Sequence, residues 1–228
     1  MSNHFKQIYA TQAAKYDAMV SCEDYQGNLL QALLGIHNFN GSKVVDVGAG
    51  TGRVTRLLEP YTKWITAVDI SHHMLQQADT PLSAVADACH LPIKSKTADV
   101  AIAGWALGHS IGWYPETWQT VIWQAIESMQ RVLQPNGTLI LLETMGTGTE
   151  IPTPPHEGLA AYYRWLENDL GFAHTTIPTD YKFTSVTQAI DLTQYFFGDA
   201  LAEKILQQQL TILPEFTGIW WRTKSVVH

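Results

Sequence analysis

Cysteine is scarce in this 228-residue chain, which contains Cys22 and Cys89 and no others. Two cysteines that form no C-x-x-C pattern are too few for a disulfide scaffold. They are also too few for chemistry that needs several placed thiolates, such as arsenic methylation. His, Cys, Asp and Glu show no metal-ligand spacing, so we expect no metal site.

Positive charge is scarce as well. The chain has 14 Lys and Arg against 21 Asp and Glu, which gives a formal net charge of −7. The longest basic run is KSK at residues 94–96. Because nucleic-acid-binding surfaces carry clustered basic residues, we expect no nucleic-acid partner. The acidity otherwise indicates solubility.

Long hydrophobic runs are missing too. No apolar stretch reaches the roughly 18 residues of a membrane span, and the first ten residues, MSNHFKQIYA, lack the apolar core of a signal peptide. We therefore expect a cytoplasmic protein without a membrane partner. The hydrophobic fraction of 46% excludes a disordered chain. The length suits one α/β domain with a sizeable core, and it is too short for two.

Apolar strand candidates alternate with helix candidates through the middle of the chain. The predicted strands are Lys43–Val47, Trp64–Asp69, Ala84–Asp87, Ala98–Ala103 and Gly137–Glu143, and the predicted helices cover 51–58, 71–79 and 116–133. This alternation is typical of a mainly parallel sheet with right-handed crossovers. Near-continuous apolar strands such as TLILLE indicate a sheet covered on both faces.

Helices are expected on both sides of this region. Apolar residues at helical spacing in 5–34 predict helices ahead of the first strand. Residues 134–137, QPNG, predict a turn in which Asn-Gly accepts a positive φ. After a Gly/Pro/Thr-rich loop at 144–158 we expect a helix ending at Gly171, a strand near 175–183, a helix near 185–197 and a last strand at Phe216–Thr223.

The most informative segment is VVDVGAGTGR at residues 44–53. Its glycines at 48, 50 and 52 follow a strand and open a helix, which is an arrangement that brings backbone N–H groups close to a nucleotide. The spacing is G-x-G-x-G. The dinucleotide fingerprint needs a third glycine at position 53, where this chain has Arg53. We interpret Arg53 as a surface or packing residue.

Two further acids follow neighbouring strands. Asp69 ends the second strand in AVDIS, and Asp87, in ADACHLP, ends the third. Ligands of open α/β sheets bind beyond the carboxyl ends of the strands, where a carboxylate can accept the hydroxyl groups of a ribose. The alternative for Asp69 is a cap for the next helix, although Ser71 is the better cap. For Asp87 the alternative is a purely structural role.

Five segments together resemble a known family. In order they are GAGTG, AVDIS-x-x-ML, DACHLP, ADVAIAGWALGH and RVLQPNGTLILLE, spread over residues 43–143. Their order and spacing resemble the class I S-adenosylmethionine (SAM) methyltransferases of the small-molecule type, methyltransferase type 11, which include ubiquinone and menaquinone C-methyltransferases. Ile93 replaces the aromatic residue of the family's LPF turn.

The resemblance implies an α/β, Rossmann-like sheet of seven mainly parallel strands, with an antiparallel last pair and N-terminal lid helices. It implies a single domain over residues 1–228. Residues 1–41 would form the N-terminal helices, 42–144 the SAM-binding core, and 145–228 the acceptor-side helices and last strands.

The resemblance also implies a cofactor, SAM, with S-adenosylhomocysteine (SAH) as its product. Asp46 would lie near the methionine part of SAM, Asp69 would hold the ribose, and Asp87 with the N–H of Ala88 would read the adenine. Asp46 could instead tie the glycine turn to the backbone, and Met74 is as well explained as a core residue. The full set of cofactor residues is Tyr9, Tyr16, Asp46, Gly48, Ala49, Gly50, Thr51, Asp69, Ile70, Met74, Asp87, Ala88 and Gly104.

The fourth strand is followed by AGWALGHSIGWYPETW rather than by the Asn/Asp-Pro-Pro-Tyr motif of nucleic-acid and glutamine N-methyltransferases. His109 is the best candidate for a general base, or else it shapes the pocket. Aromatic residues crowd segments 105–118, 162–165 and 195–197, either to line an acceptor pocket or to fill the core. We expect methyl transfer from SAM to an O, N or C nucleophile of a small aromatic or apolar molecule.

Two other functions remain open. The first is an NAD-dependent oxidoreductase, which the G-x-G-x-G spacing and Asp87 disfavour. The second is a non-catalytic SAM-binding subunit. The sequence predicts neither the identity of the methyl acceptor nor the oligomeric state.

Overall fold

A seven-stranded sheet organises the chain in the computed structural model, which describes residues 2–224 and the side chains from residue 4 onward. The strand order is β3-β2-β1-β4-β5-β9-β6. Strands β1 to β5 run parallel, and β9 is antiparallel to both of its neighbours, β5 and β6. The predicted fold class is therefore confirmed, including the antiparallel last pair.

The strands of this sheet are β1 (Lys43–Val47), β2 (Trp64–Asp69), β3 (Ser83–Val85), β4 (Ala98–Gly104), β5 (Leu133–Thr147), β6 (Ala173–Pro178) and β9 (Glu215–Thr223). A separate two-stranded sheet pairs β7 (Tyr181–Lys182) with β8 (Ile212–Leu213). The segment predicted as one strand near 175–183 is thus divided. It breaks at Pro178, which has no N–H to donate to a ladder.

Three helices, α1 (Ser2–Thr11), α2 (Ala13–Val20) and α3 (Asn28–Ile36), precede the sheet. Those that follow are α4 (Arg53–Leu58), α5 (His72–Leu75), α6 (His109–Trp113), α7 (Trp118–Val132), α8 (Glu157–Asn168), α9 (Val186–Phe197) and α10 (Asp199–Gln208). Helix α10 was not predicted. Helix α5 is shorter than the predicted 71–79, because the chain turns at Asp79, whose φ is +42°, just ahead of Pro81.

Two predicted boundaries near the ligand edge also need correction. The third strand ends at Val85 rather than at Asp87, because Asp87 caps a short 3₁₀ turn at Ala88–His90. The predicted turn at 134–137 lies within β5 as an irregularity in its pairing with β4. Its expected positive φ is found at Asn136, at +64°.

The core has a layer on each face of the sheet. Val44 and Val45 are neighbours on β1, and both are fully buried. Val44 packs with α3 and α4 on one face of the sheet, and Val45 packs with α7 and α8 on the other. This explains why the central strands are apolar at consecutive positions. A third cluster joins α2 to α9, α10 and the β7–β8 sheet, with Met19, Ile205 and Leu213 buried at its centre. It fixes the N-terminal helices against the C-terminal part of the chain.

Candidate functional site

The glycine loop between β1 and α4 requires its glycines. Gly48, Gly50 and Gly52 have φ values of +68°, +56° and +86°, a region that side chains rarely adopt. A Cβ on Gly48 would lie 2.4 Å from the Cβ of Ala106, and one on Gly52 would lie 2.9 Å from the Cβ of Ala78. The backbone of this loop is therefore held tightly against its neighbours, with Ala49 and Thr51 buried between the glycines.

Asp69 connects the glycine loop to the next helix. Its Oδ2 accepts a hydrogen bond from the Gly50 N–H at 2.8 Å, and its Oδ1 accepts one from the Ser71 N–H at 2.7 Å. Ser71 itself caps α5 by accepting from the Met74 N–H at 3.3 Å, as predicted. Burial raises the pKa of Asp69, whereas these backbone donors lower it. The carboxylate thus stands at the carboxyl end of β2 with its orientation fixed.

Three further predicted residues surround Asp69. Asp87 is exposed beyond β3, and its Oδ1 accepts from the Cys89 N–H at 2.8 Å. Ala88 follows it in the 3₁₀ turn. Ile70 is 67% exposed, which is unusual for a large apolar side chain. Met74 is only 3% exposed, and its Cε lies 3.4 Å from where a Cβ of Gly50 would stand.

Asp46 lies beneath the loop rather than at its surface. It is fully buried, and its Oδ2 accepts a hydrogen bond from the Thr55 hydroxyl at 2.6 Å. Its Oδ1 has no hydrogen-bond partner among the described residues. Burial raises the pKa of this carboxyl to about 7. Asp46 therefore ties β1 to the side of α4, not to the backbone of the glycine turn.

Helix α1 crosses the carboxyl edge of the sheet. The hydroxyl group of Tyr9 lies 2.8 Å from Nε2 of His109, and the carbonyl oxygen of Tyr9 accepts from the Ser71 hydroxyl at 3.4 Å. The ring of Tyr16, on α2, packs edge-on against Tyr9 at 5.5 Å. The structure thus brings the two tyrosines of the predicted cofactor set to the same edge as Asp69.

His109 begins α6, beyond the end of β4 at Gly104. Its ring stacks on Trp113 at a centroid distance of 5.1 Å. Burial lowers the pKa of His109 to about 4, so the imidazole is neutral at pH 7. Glu143, near the end of β5, accepts a hydrogen bond from the Gly108 N–H at 2.8 Å and thereby holds the start of α6. Burial raises the pKa of Glu143 to about 8.

Arg53 is not a surface residue. Its guanidinium lies 3.9 Å from the ring centroid of Trp105, and its Nη1 donates to Oε2 of Glu23 at 2.7 Å. Trp105 follows β4 with a φ of +52°, a strained conformation for a residue other than glycine. The packing part of the interpretation was right. Glu23 was missed, because an ion pair between residues so far apart in the chain leaves no periodic signal.

Aromatic side chains fill the space above His109. The ring centroid of Phe196 lies 5.0 Å from that of Phe5 and 5.7 Å from that of Tyr16. The ring centroids of Phe5 and His109 are 5.4 Å apart. These residues come from both ends of the chain, from α1, α2 and α9. The sequence predicted an aromatic pocket from segment 195–197, but Phe5 was assigned only to a helix.

In residues 4–224, no three His, Cys, Asp or Glu side chains come close enough together to hold a metal ion. Over the same part of the chain, no helix is both long and apolar enough to cross a membrane.

The chain is similar in sequence to known methyltransferases. Residues 45–141 match the family model described as a methyltransferase domain. The chain is 32% identical to malonyl-[acyl-carrier protein] O-methyltransferase of Geobacter sulfurreducens over 146 residues, which cover 60% of this chain and 51% of the relative. It is 28% identical to the enzyme of that name from Pseudescherichia vulneris, over 83% of this chain and 72% of the relative. The chain therefore spans about half the length of the first relative.

The fold is shared with solved structures. The YcgJ protein from Bacillus subtilis superposes with a TM-score of 0.57 over 88% of this chain and 100% of that one, at 13% identity. At this identity the likeness concerns the fold alone. The family model and the curated relatives make this chain similar to methyltransferases over part of its length, and the solved structure shares its fold.

Proposed function

We propose that this protein binds SAM at the carboxyl edge of β1 to β4 and transfers its methyl group to a nucleophile of a small apolar or aromatic molecule, leaving SAH. The observation that carries the proposal is the double contact of Asp69, which joins the Gly50 N–H to the Ser71 N–H at the end of β2. A carboxylate fixed in this place beside a glycine loop suits the two hydroxyl groups of a ribose.

The chemistry of the neighbouring residues fits SAM. Ile70 directly follows Asp69 in the chain, and its exposed side chain offers an apolar surface to a flat base. The turn from Gly48 to Thr51 lies next to Asp69, which accepts from the Gly50 N–H. Gly104, Tyr9 and Tyr16 lie further along the same edge.

SAM supplies a methyl group on a positively charged sulfur, so the protein's main task is to hold the acceptor in line with it. The aromatic rings of α1, α2 and α9 would bury an apolar acceptor beyond the ends of β4 and β5. His109 would accept a proton there if the acceptor has one to lose. In this conformation Nε2 of His109 is hydrogen-bonded to the Tyr9 hydroxyl. The proton of the acceptor would therefore reach His109 through that hydroxyl, or directly once the contact between Tyr9 and His109 has opened.

A second acceptor class is a carboxylate, because the curated relatives are named as O-methyltransferases of malonyl-[acyl-carrier protein] and a malonyl group ends in a free carboxylate. The low pKa of His109 favours this class, because a histidine with a pKa of about 4 is a weak base. A carboxylate is already deprotonated at neutral pH and needs no base.

The cofactor assignment is tested by replacing Asp69→Asn, which keeps the shape of the side chain but removes its charge. We expect SAM binding to weaken by about 1.5–3 kcal/mol, or roughly 10–150-fold in the dissociation constant measured by calorimetry.

Asp99→Asn is the matched control. Asp99 also accepts a backbone hydrogen bond, from the Lys43 N–H at 2.8 Å, but it lies at the start of β4, on the opposite edge of the sheet. SAM binding should change less than about twofold in this variant. Equal effects of the two substitutions, or no effect of either, would contradict the ribose assignment.

A further inference from the structure

A buried ion pair near the glycine loop has one unused atom on each partner. The side chains of Arg53 and Glu23 are 17% and 4% exposed, and they are joined through Nη1 and Oε2 at 2.7 Å. Within the described part of the chain, the buried Nη2 of Arg53 and the buried Oε1 of Glu23 have no hydrogen-bond partner. Burying a donor and an acceptor in this way is costly, since each has lost its contact with water.

The pair lies where the far end of an extended ligand would reach. Arg53 follows Gly52 directly, and its guanidinium covers Trp105, the residue after β4. The sheet order is β3-β2-β1-β4, with Asp87 beyond β3 and Asp69 at the end of β2. A ligand whose base lies at Asp87 and whose ribose lies at Asp69 would therefore continue across β1 toward β4. The whole span is about 14 Å for three strand spacings.

We propose that Arg53 and Glu23 together bind the α-amino-acid group of SAM, with Nη2 of Arg53 donating to its carboxylate and Oε1 of Glu23 accepting from its ammonium. The inference rests on the proposed function. A zwitterion carries one acceptor group and one donor group side by side, and the pair has one donor and one acceptor to match them. The guanidinium is held in place by Trp105 and by Glu23 before any ligand arrives.

This assignment gives the ammonium a partner other than Asp46, which the resemblance placed near the methionine part of SAM. Asp46 is fully buried and bonded to Thr55 of α4, whereas Glu23 is paired with the same guanidinium that would hold the neighbouring carboxylate. An acceptor molecule with a carboxylate could offer Arg53 the same chemistry. The two sources are separable, because only the cofactor's group contributes to binding when no acceptor is present.

The test compares two ligands in each variant by calorimetry, without acceptor. SAH carries the amino-acid group, and 5′-methylthioadenosine has the same adenosine and sulfur but lacks that group. In Arg53→Gln and in Glu23→Gln, the dissociation constant of SAH should rise roughly 10-fold or more. That of methylthioadenosine should stay within about twofold.

Two further variants keep the test decisive. The double variant Glu23→Gln with Arg53→Gln leaves no lone buried charge, and so it covers the case in which a single variant folds poorly. Arg164→Gln is the control, because Arg164 also pairs with a glutamate, Glu157, but is 58% exposed and lies on α8 rather than at the glycine loop. It should change SAH binding less than about twofold.

The outcomes separate this inference from the proposed function. Loss of SAH affinity with methylthioadenosine binding retained supports the inference. Unchanged SAH binding overturns it, and this is the result expected if Arg53 instead serves a carboxylate of the acceptor. Equal loss of both ligands in the single and double variants also overturns it. Failure of the unaltered protein to bind either ligand would defeat the proposed function itself.

Discussion

Single residues at the carboxyl edge have structural roles that are compatible with the ligand-binding roles we propose for them. Asp69 and Asp87 each accept backbone hydrogen bonds that shape a turn, so the alternatives of a structural or a ligand-binding carboxylate are not exclusive. His109 is similar, because it is packed against Trp113 and bonded to Tyr9 while lying where an acceptor would bind. The sequence did not reveal that His109 is buried, and this burial lowers its pKa and keeps the ring neutral.

The pKa of His109 gives a direct prediction. Burial lowers it to about 4, so the neutral form should persist from pH 7 to well below the ordinary histidine range. An NMR titration of the ring proton should therefore show His109 titrating at about 4. Titration near 6.5, the ordinary value, would contradict this environment.

The same residue separates the two acceptor classes. If the acceptor is a hydroxyl or an acidic C–H, His109→Ala should lower kcat by roughly 100-fold or more and leave SAM binding nearly unchanged. With a malonyl group on an acyl carrier protein as acceptor, kcat should change less than about threefold. His174→Ala is the control, since His174 is also stacked on a ring, that of Trp220 at 4.5 Å, but lies on β6.

At the scale of elements, the sequence predicted most reliably the strands whose ends are marked by residues adjacent in the chain. Strands β1 and β2 have the predicted bounds, because each is an apolar run that ends at a glycine loop or an acid. The sequence did not predict α10 or the β7–β8 pairing. The partners Tyr181 and Leu213 are distant in the chain, and two-residue strands carry no usable periodicity.

The glycine loop permits an element-scale test. Gly48→Ala should destabilise the fold by about 1–3 kcal/mol, because the new Cβ would lie 2.4 Å from that of Ala106 at a φ of +68°. Gly35→Ala in α3 is the control. A Cβ there meets no described atom within 4 Å, so alanine should stabilise this helix position by about 0.5–1 kcal/mol. Urea unfolding measures both, and similar values for the two variants would refute the close-packed loop.

For the whole molecule, the sheet order explains why the site could be predicted only in part. Motifs follow successive strands, so the glycine loop, Asp69 and Asp87 could be placed at one edge from the sequence alone. The Arg53–Glu23 pair and the aromatic cluster of Phe5 and Phe196 depend on how the terminal helices pack onto that edge. That packing is fixed by the third core cluster, which joins α2 to the last helices through non-local contacts.

The most direct test of this account is a calorimetric titration of the unaltered protein with SAM, SAH and NAD. The account predicts that SAM and SAH bind with dissociation constants of about micromolar order and that NAD does not bind. Binding of NAD in preference to SAM would instead support a nicotinamide-dependent enzyme, and it would contradict the cofactor assignment made here from the glycine loop and Asp69.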